Sequence, residues 1–243
     1  MDIKKDYRKF ALSQGLHSSQ IDAQEKKQVT DMVGTPMILE ERQMNVAPFD
    51  VFSRLMYDRI IFLSGEVSQD SMDTIVAQLL YLDSVDNRDI NIYVNSPGGD
   101  CYSGLELVST MDFVKSDVST TVLGLAASMG AIISSSGKKG KRKMLPYSRF
   151  MIHQPSGYSG RIKFTDQRIE LEEMEKTRND LYEVLSKNSG HSMEEIIDMC
   201  EHGDRWMKAS EAIELCFADG IITKKSSNIW WREDYLISLH HQF

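Results

Sequence analysis

The stretch Gly124-Leu-Ala-Ala-Ser-Met-Gly130 places one serine between small residues, directly after a β-branched run and directly before Ala131-Ile-Ile133. It predicts a strand, a tight turn and a helix, and it is a variant of the G-x-S-x-G nucleophile turn with alanine at the first position. A serine at such a junction exposes its hydroxyl, and small neighbours let the backbone approach a substrate carbonyl. The alternative is that Ser128 only caps the helix that follows, because serine is a favoured N-cap residue.

A histidine suited to act as a base stands in Met151-Ile-His-Gln-Pro155, at the end of the apolar run Arg149-Phe-Met-Ile152. Attack by serine on a carbonyl needs a base with a pKa near neutrality, and His153 supplies one. The alternative is a hydrogen-bonded structural histidine. The third member of such a site is a carboxylate that fixes the imidazole tautomer. Asp204, in Gly203-Asp-Arg-Trp-Met207, is the candidate, although spacing alone leaves many of the 36 acidic residues open.

Backbone amides that could hold an oxyanion lie upstream, where the buried-strand pattern Ile90-Asn-Ile-Tyr-Val-Asn95 ends in Ser96-Pro-Gly-Gly-Asp100. An acyl-transfer enzyme needs two such donors aimed at the developing charge. The amides of Gly99 and Met129 are the natural pair. The alternative is an ordinary β-turn between a strand and a helix.

Together these segments resemble the proteolytic subunits of the Clp protease (ClpP), a family of self-compartmentalised serine peptidases. Further matching segments are Asp50-Val-Phe-Ser-Arg-Leu-Met56, Arg59-Ile-Ile-Phe-Leu63, Gly140-Lys-Arg142, Leu145-Pro146, Ser148-Arg149, Glu211-Ala212 and Asp219-Gly220. The resemblance implies a catalytic triad of Ser128, His153 and Asp204, with Gly99 and Met129 as oxyanion donors.

The chain order Ser, His, Asp differs from that of α/β-hydrolases, chymotrypsin and subtilisin. The resemblance implies instead an α/β, crotonase-like (ClpP) fold of repeated β-β-α units, with a protruding strand-helix handle at about residues 157–187. The same fold hosts enoyl-CoA hydratases and isomerases, so a CoA-thioester hydratase or isomerase is an alternative function. Those enzymes typically use acidic side chains, and Ser128 with His153 therefore argues against it.

Periodicity predicts strands at residues 59–63, 90–95, 118–123 and 144–152, and helices at 71–82, 102–115, 128–135 and 165–187. The last helix is long and charged, with a thin apolar stripe of Ile169, Met174, Leu181 and Leu185 that suggests a partner. Gly190 is the expected C-terminal cap, and Ser192-Met-Glu-Glu195 is a capping box that opens the next helix.

The resemblance also implies an assembly, in which the handle interlocks two heptameric rings into a tetradecamer with the active sites inside. A hexameric Clp ATPase chaperone would unfold polypeptides, deliver them for cleavage to short peptides, and grip hydrophobic pockets that include Tyr93. The partner would use the ATP. The sequence has no G-x-x-x-x-G-K-[ST] phosphate loop, so no cofactor and no metal are expected in this chain.

Two departures from the family pattern concern this assembly. Gly203 stands where an arginine is usual before the aspartate, and Gly160-Arg-Ile-Lys-Phe164 replaces a Gly-Gln-Ala type sequence in the handle strand. We therefore predict a tetradecamer that is weaker or more salt-sensitive than usual. A non-catalytic or dormant ring subunit paired with a paralogue stays open as a further alternative.

The length and the net charge of the chain limit its domain organisation and the kinds of partner that it can bind. The 243 residues, 41% hydrophobic, suit one peptidase domain at 35–225, with an N-terminal extension or propeptide at 1–34 and an aromatic tail at 226–243 that is expected to dock on the outer surface. The net charge of −8 argues against nucleic-acid binding. The basic cluster Lys138-Lys-Gly-Lys-Arg-Lys143 is expected to be a solvated loop; a serine-lysine dyad is the alternative, which His153 makes unnecessary.

Cys101, Cys200 and Cys216 form neither an even-numbered disulfide framework nor a metal-ligand spacing, which favours a reducing cytoplasm. No apolar run approaches the roughly 20 residues that span a membrane, and the N-terminus lacks the apolar core of a signal peptide. The sequence therefore predicts a cytoplasmic protein without membrane contact.

Overall fold

The computed structural model describes residues 37–42, 45–157 and 163–223, which divide into two units between Asp58 and Arg59. The first unit holds the antiparallel strands β1 (Met37–Arg42) and β2 (Asn45–Asp50) and the helix α1 (Val51–Tyr57). The Asp50 carboxylate accepts hydrogen bonds from amides in the first turn of α1 and so caps it. The predicted domain boundaries near residues 34 and 226, and the tail they delimit, lie outside the described residues.

The second unit alternates strands and helices. Its elements are β3 (Ile60–Val67), α2 (Gln69–Val85), β4 (Ile90–Gly99), α3 (Cys101–Phe113), β5 (Val118–Ala127), α4 (Met129–Ser135), β6 (Arg142–Met144), β7 (Arg149–Ile152), α5 (Phe164–Ser189), α6 (Met193–Glu201), β8 (Arg205–Lys208), α7 (Ala209–Glu214) and β9 (Gly220–Ile221). The strands β3, β4, β5, β6 and β9 form a parallel sheet in that spatial order. This mixed α/β architecture agrees with the expected fold class.

Strand β5 divides the sheet, because its two ends pair with different strands. Thr120–Val122 pairs with β6, whereas Leu125–Ala127 pairs with β7, which in turn pairs antiparallel with β8. The register of this antiparallel pair sets Ile152 opposite Arg205. The residues just outside that pair are His153 and Asp204, so the topology brings both to the end of β5.

The core lies on one face of the sheet, under α2, α3 and α4. Side chains alternate along parallel strands, and the inward set is fully buried: Ile61, Leu63, Ile92, Val94, Val122 and Met144. The first turn of α2 is closed by a capping box between Ser68 and Ser71. This packing holds β4 and β5, the two strands that carry candidate site residues at their ends, in a rigid layer.

Several strands differ from the sequence prediction, since β3 and β5, expected at 59–63 and 118–123, continue to Val67 and Ala127. Strand β4 was expected to end at residue 95, but it continues through Pro97 to Gly99, because Glu66 and Val67 of β3 pair with the two glycines. The region 144–152 was expected as one strand, yet β6 and β7 are separate: the Ser148 amide and hydroxyl both donate to the Leu145 carbonyl and close a turn between them. The turn lets the chain move from one pairing segment of β5 to the other.

Helix α5 consists of two unlike halves. Leu181 and Leu185 in its C-terminal half are buried, whereas Ile169 is 64% and Leu171 58% exposed in the N-terminal half. Gly190 ends the helix in the left-handed conformation, as expected, with φ +84°. The expected apolar stripe therefore packs on the body at one end and faces solvent at the other. The handle strand that should precede it lies largely in 158–162, outside the described residues.

A buried ion pair lies at the amino-terminal ends of β6 and β9. The Arg142 guanidinium, 2% exposed, donates to both carboxylate oxygens of Asp219 at 3.0 and 2.7 Å, and also to the carbonyls of Ser135 and Asn188. Arg142 thereby joins β6 to the loop before β9 and to the ends of α4 and α5. Burial alone would raise the pKa of the Asp219 carboxyl, but the hydrogen bonds from Arg142 and Gly140 outweigh it and hold that pKa below its ordinary value.

Candidate active site

Ser128 lies at the junction of β5 and α4 in a backbone conformation that is rare for a residue with a side chain, φ +53° and ψ −125°. Its amide donates to the Met151 carbonyl at 2.9 Å, and its carbonyl accepts the Ala131 amide of the first turn of α4. Its hydroxyl makes no capping hydrogen bond, although the residue occupies the N-cap position. The backbone of Ser128 therefore makes the hydrogen bonds that begin the helix, and its hydroxyl is free to contact another group.

His153 follows strand β7 and faces this hydroxyl. Its Nε2 atom lies 2.9 Å from Ser128 Oγ, and the side chain is 25% exposed. The next amide, that of Gln154, donates to the Cys200 carbonyl at 3.2 Å and so anchors the residue after the imidazole to α6. The distance is within the range over which a base can take the serine proton.

Asp204 completes the row on the other side of the imidazole, with Oδ1 3.2 Å from His153 Nδ1. It stands between α6 and β8 and is 56% exposed. Gly203 before it has φ +108°, a conformation that L residues with side chains rarely adopt, and nothing lies within 4 Å of where a Cβ would stand. An open cavity of about 440 Å³ borders the aspartate and is lined by Asp198, Met199, His202, Gly203, Asp204 and Arg205.

The end of β4 reaches the nucleophile turn. A Cβ on Gly98 would stand 2.6 Å from the Ser128 Cβ and 2.9 Å from the Met129 amide nitrogen, so only a glycine allows this approach. The Gly98 amide donates to Ser96 Oγ, and the Asp100 amide donates to Val67 of β3. Gly99, the candidate oxyanion donor, follows directly and also has a positive φ, +150°. Met129 is the first residue of α4, where amides have no intrahelical acceptor.

The first turn of α3 supports these amides from behind. Asp100 caps α3 by accepting from the Ser103 hydroxyl and amide, and these bonds hold the pKa of its carboxyl below the ordinary value. A Cβ on Gly104 would stand 2.2 Å from the Met129 Cγ, so α3 packs directly on that side chain. Burial, and then the Asp100 charge, raise the pKa of the neighbouring Cys101 thiol, which keeps it neutral.

The structure therefore brings Ser128, His153 and Asp204 into one row, with 2.9 Å between Ser128 Oγ and His153 Nε2 and 3.2 Å between His153 Nδ1 and Asp204 Oδ1, and it places Gly99 and Met129 beside that row. Sequence reasoning missed Gly98, where an added Cβ would clash with Ser128; the signal was the first glycine of Ser96-Pro-Gly-Gly99. It also missed the carbonyls of Met151 and Cys200 as supports. Backbone carbonyls leave no trace in residue identity, so no pattern could have found them.

The alternative interpretation, in which a lysine of the basic cluster forms a catalytic dyad with Ser128, is wrong. The Lys138 amide donates to the Val118 carbonyl at the start of β5, whereas Ser128 follows its end. The strand between them is about 30 Å long at 3.3 Å per residue. The ammonium groups of Lys138 and Lys141 are instead paired with Asp117, at 3.1 and 3.0 Å. The first part of the cluster, residues 138–140, is an exposed loop as expected, whereas Arg142 is buried and begins strand β6.

Among residues 37–42, 45–157 and 163–223, no group of three or more His, Cys, Asp or Glu side chains is arranged to hold a metal ion. Within the same ranges, none of the helices has the length and apolar character needed to cross a membrane.

Comparison with known proteins matches residues 42–225 to the family described as Clp protease. The ATP-dependent Clp protease proteolytic subunit of Streptococcus agalactiae serotype V is 48% identical over 189 residues, which cover 77% of this chain and 96% of that protein. The subunit of the same name from Streptococcus pneumoniae is 47% identical over 195 residues, or 79% of this chain and 99% of that protein. These matches span both units of the described structure.

Proposed function

The chain belongs to the Clp protease family as a proteolytic subunit with serine peptidase activity, and we propose that Ser128, His153 and Asp204 are its catalytic triad. The observation that carries the assignment is the continuous row from Ser128 Oγ through both ring nitrogens of His153 to the Asp204 carboxylate. Such a row supports acyl transfer by a serine nucleophile, whatever the chain order of the three residues.

Peptide hydrolysis on this site begins with the 2.9 Å contact between Ser128 and His153. His153 Nε2 accepts the hydroxyl proton as Oγ attacks the peptide carbonyl carbon, and the carbonyl oxygen becomes an oxyanion held by the amides of Gly99 and Met129. When the C–N bond breaks, the imidazolium returns the proton to the leaving amine. Water then attacks the acyl-enzyme with the same base, which releases the carboxylic acid and restores Ser128.

Asp204 acts through the imidazole. Its carboxylate accepts from Nδ1–H, which fixes the proton on Nδ1 and leaves Nε2 free as the acceptor for the serine proton. Its negative charge also stabilises the imidazolium that forms in the transition state. The backbone of Gly203 sets the position of this carboxylate, because the aspartate follows directly after the positive-φ residue.

Polypeptides unfolded by a partner are the proposed substrates, and the partner is a hexameric ATPase chaperone. The names of the streptococcal relatives, which describe an ATP-dependent protease, support this division of labour. The peptidase chemistry needs no cofactor of its own in this chain. The exposed apolar half of α5 supports a double heptameric ring in which this helix joins the two rings. The three free thiols support a reducing compartment, the cytoplasm.

The two other functions considered from the sequence are less well supported. A dormant ring subunit that only scaffolds a paralogue would have no need of the Ser128–His153 contact. A CoA-thioester hydratase would need an acidic side chain as its base, and the group that faces the candidate oxyanion donors here is the serine hydroxyl paired with His153.

Labelling with a fluorophosphonate probe tests the proposal. Serine Oγ displaces fluoride from phosphorus, and intact mass should show a single adduct on the wild-type protein and none on Ser128→Ala or His153→Ala. Ser136→Ala, on the C-terminal cap of α4, is the matched control and should label like the wild type. An adduct that survives Ser128→Ala would refute the assignment of the nucleophile.

A further inference from the structure

Strands β7 and β8 carry the triad residues His153 and Asp204 at one end of their antiparallel ladder. The ladder pairs Ile152 with Arg205, and one further step along it sets His153 opposite Asp204. Their side chains approach to 3.2 Å, so both lie on one face of the pair of strands. Because side chains alternate along each strand, the same face continues with two more cross-strand pairs. These are Met151 with Trp206, and Arg149 with Lys208.

The face that carries the triad is open to solvent, whereas the opposite face packs on the core. On the core side, Phe150 is fully buried and its partner Met207 is 3% exposed. On the triad side, Trp206 is 54% exposed, and the side chains of Arg149 and Lys208 are exposed as well. We call Trp206, Arg149 and Lys208 the exposed strip. It begins next to the triad and ends at two cations.

The two cations of the exposed strip face each other. Arg149 and Lys208 are direct cross-strand neighbours, and like charges in that position destabilise a sheet. The Arg149 guanidinium donates to the carbonyls of Tyr147 and Ser148, at 3.4 and 3.3 Å, and these groups carry no full charge. Within residues 37–42, 45–157 and 163–223, neither cation forms an ion pair with a carboxylate. An anionic group bound between them would therefore relieve the repulsion.

Spacing along the strip sets which part of a substrate it can reach. Two residues of a strand advance by about 6.6 Å, so the two cations lie roughly 13 Å from the pair of His153 and Asp204. An extended polypeptide also advances by about 3.3 Å per residue. A substrate that runs along the strip therefore crosses Trp206 and places the side chain about four residues from its scissile bond beside the cations.

We propose that the exposed strip is a substrate subsite for acidic side chains, in which a glutamate or aspartate about four residues from the scissile bond pairs with Arg149 and Lys208. The inference rests on the proposed peptidase function and adds to it the class of polypeptide that is cleaved fastest. Both partners of such an ion pair are exposed, so the preference is several-fold in size and weakens as salt is added.

Two long quenched fluorogenic peptides test the inference. One carries glutamate at about four residues from the scissile bond on both sides, and the other carries glutamine at both places. At low salt, the wild-type kcat/KM should be about five- to tenfold higher for the glutamate peptide, through a lower KM, and about 0.5 M salt should remove most of the difference. The ratio of the two kcat/KM values within one variant is independent of any general loss of activity.

Substitution of the cations should remove the preference. Arg149→Gln and Lys208→Gln should each lower the ratio of the two kcat/KM values, and the double variant should cleave both peptides equally well. Lys139→Gln is the matched control, because it removes an exposed cation from the loop before β6, and it should keep the wild-type ratio.

The possible failures are distinguishable. Equal kcat/KM for the two peptides in the wild type, with both cleavages abolished by Ser128→Ala, would refute the subsite and leave the peptidase assignment intact. A preference that survives in the double variant would place the acidic subsite on another surface. If the double variant keeps the preference but sediments differently, the cations belong to a contact between copies of this chain. Cleavage that persists in Ser128→Ala would contradict the proposed function itself.

Discussion

The hydroxyl of Ser128 lies 2.9 Å from His153 Nε2, although Ser128 occupies the N-cap of α4, where a serine hydroxyl ordinarily bonds to the helix. The helix forgoes that cap, and the residue holds a positive φ of 53°. Such backbone conformations cost about 1–3 kcal/mol and persist only where surrounding contacts enforce them. Here the Met151 carbonyl and Gly98 supply those contacts. The strained backbone lowers the free energy of unfolding, and in return the Ser128 hydroxyl is free to face His153.

The role that we propose for Asp204, fixing the imidazole tautomer, predicts a large effect from an isosteric change. In Asp204→Asn the amide NH₂ donates to Nδ1, the ring proton moves to Nε2, and Nε2 can no longer accept from Ser128. We expect kcat for a fluorogenic peptide to fall by about 10² to 10⁴. Asp198→Asn, a neighbouring exposed carboxylate on α6, should retain activity. Equal activity of wild type and Asp204→Asn would mean that another group orients His153.

The close approach of Gly98 to the nucleophile predicts that a single methyl group inactivates the site. In Gly98→Ala the added Cβ would stand 2.7 Å from the Ala127 carbonyl, in addition to its clash with Ser128. The turn must shift, and a displacement of about 1 Å costs on the order of 10²-fold in rate. The second-order rate of fluorophosphonate labelling measures this loss.

Gly140→Ala separates the clash from the backbone effect. Gly140 also has a positive φ, +88°, but nothing lies within 4 Å of its Cβ position. It should lose about 1 kcal/mol of stability and label at the wild-type rate. If both alanine variants label at the wild-type rate, the close approach of Gly98 to Ser128 is not needed for the reactivity of the serine.

What the sequence could predict follows from how local each feature is. The capping box of Ser192 and Glu195 and the C-cap at Gly190 depend on a few neighbouring residues, and both are found at the predicted positions. The Ser128 turn was predicted because its small residues are a local requirement as well. Its pairing with His153, by contrast, was predicted from the chemistry of the two side chains and from family resemblance.

The remaining features depend on pairing between distant segments. Strand β4 runs through Pro97 because residues of β3 pair with both glycines. The edge of β5 pairs with two strands, with β6 along its first half and with β7 along its second half. Arg142 lies in a basic run that reads as solvated, yet it is buried because Asp219, far along the chain, neutralises it. No window of sequence contains these partners, so periodicity could not predict them.

The positive φ of Gly203, directly before Asp204, predicts a second effect of the backbone on catalysis. Gly203→Ala meets no neighbouring atom, but at φ +108° it strains the backbone by about 1–3 kcal/mol and shifts Asp204 away from His153. Peptidase kcat should fall about tenfold or more, with a small change in global stability. Gly140→Ala, at φ +88° and equally open, has the same strain in the loop before β6 and should keep its kcat. Equal kcat values for the two variants would count against a positioning role for Gly203.

The buried pair of Arg142 and Asp219 predicts a pH-dependent part of the stability. The folded-state pKa of Asp219 lies below its unfolded value, so its contribution is complete above the ordinary carboxyl pKa of about 4 and is lost as the pH falls through the folded value. At neutral pH, Asp219→Asn should cost about 3–5 kcal/mol of unfolding free energy, because Arg142 is left buried without a countercharge.

Urea unfolding at neutral pH and at about pH 3 measures both effects. Wild type should lose more stability between the two conditions than Asp219→Asn, since the variant has no carboxyl to protonate at this position. Asp112→Asn is the control: its pair with Lys187 is 2.7 Å long but exposed, and its loss should cost less than about 1 kcal/mol. Parallel pH profiles for wild type and Asp219→Asn would show that the buried pair does not set the acid sensitivity.

The exposed half of α5 predicts how the proposed double ring responds to charge. Ile169→Glu places a carboxylate in the exposed apolar surface that we propose as the contact between rings, and burying it without a partner is unfavourable. Sedimentation velocity should show fewer double rings and more smaller species than in the wild type. Glu170→Gln, on the polar side of the same turn, is the control and should assemble normally. Gly203 supplies no charged contact between rings, and we therefore expect raised salt to dissociate the wild-type double ring as well. A double ring that withstands salt and is unchanged by Ile169→Glu would place the contact between rings on another surface.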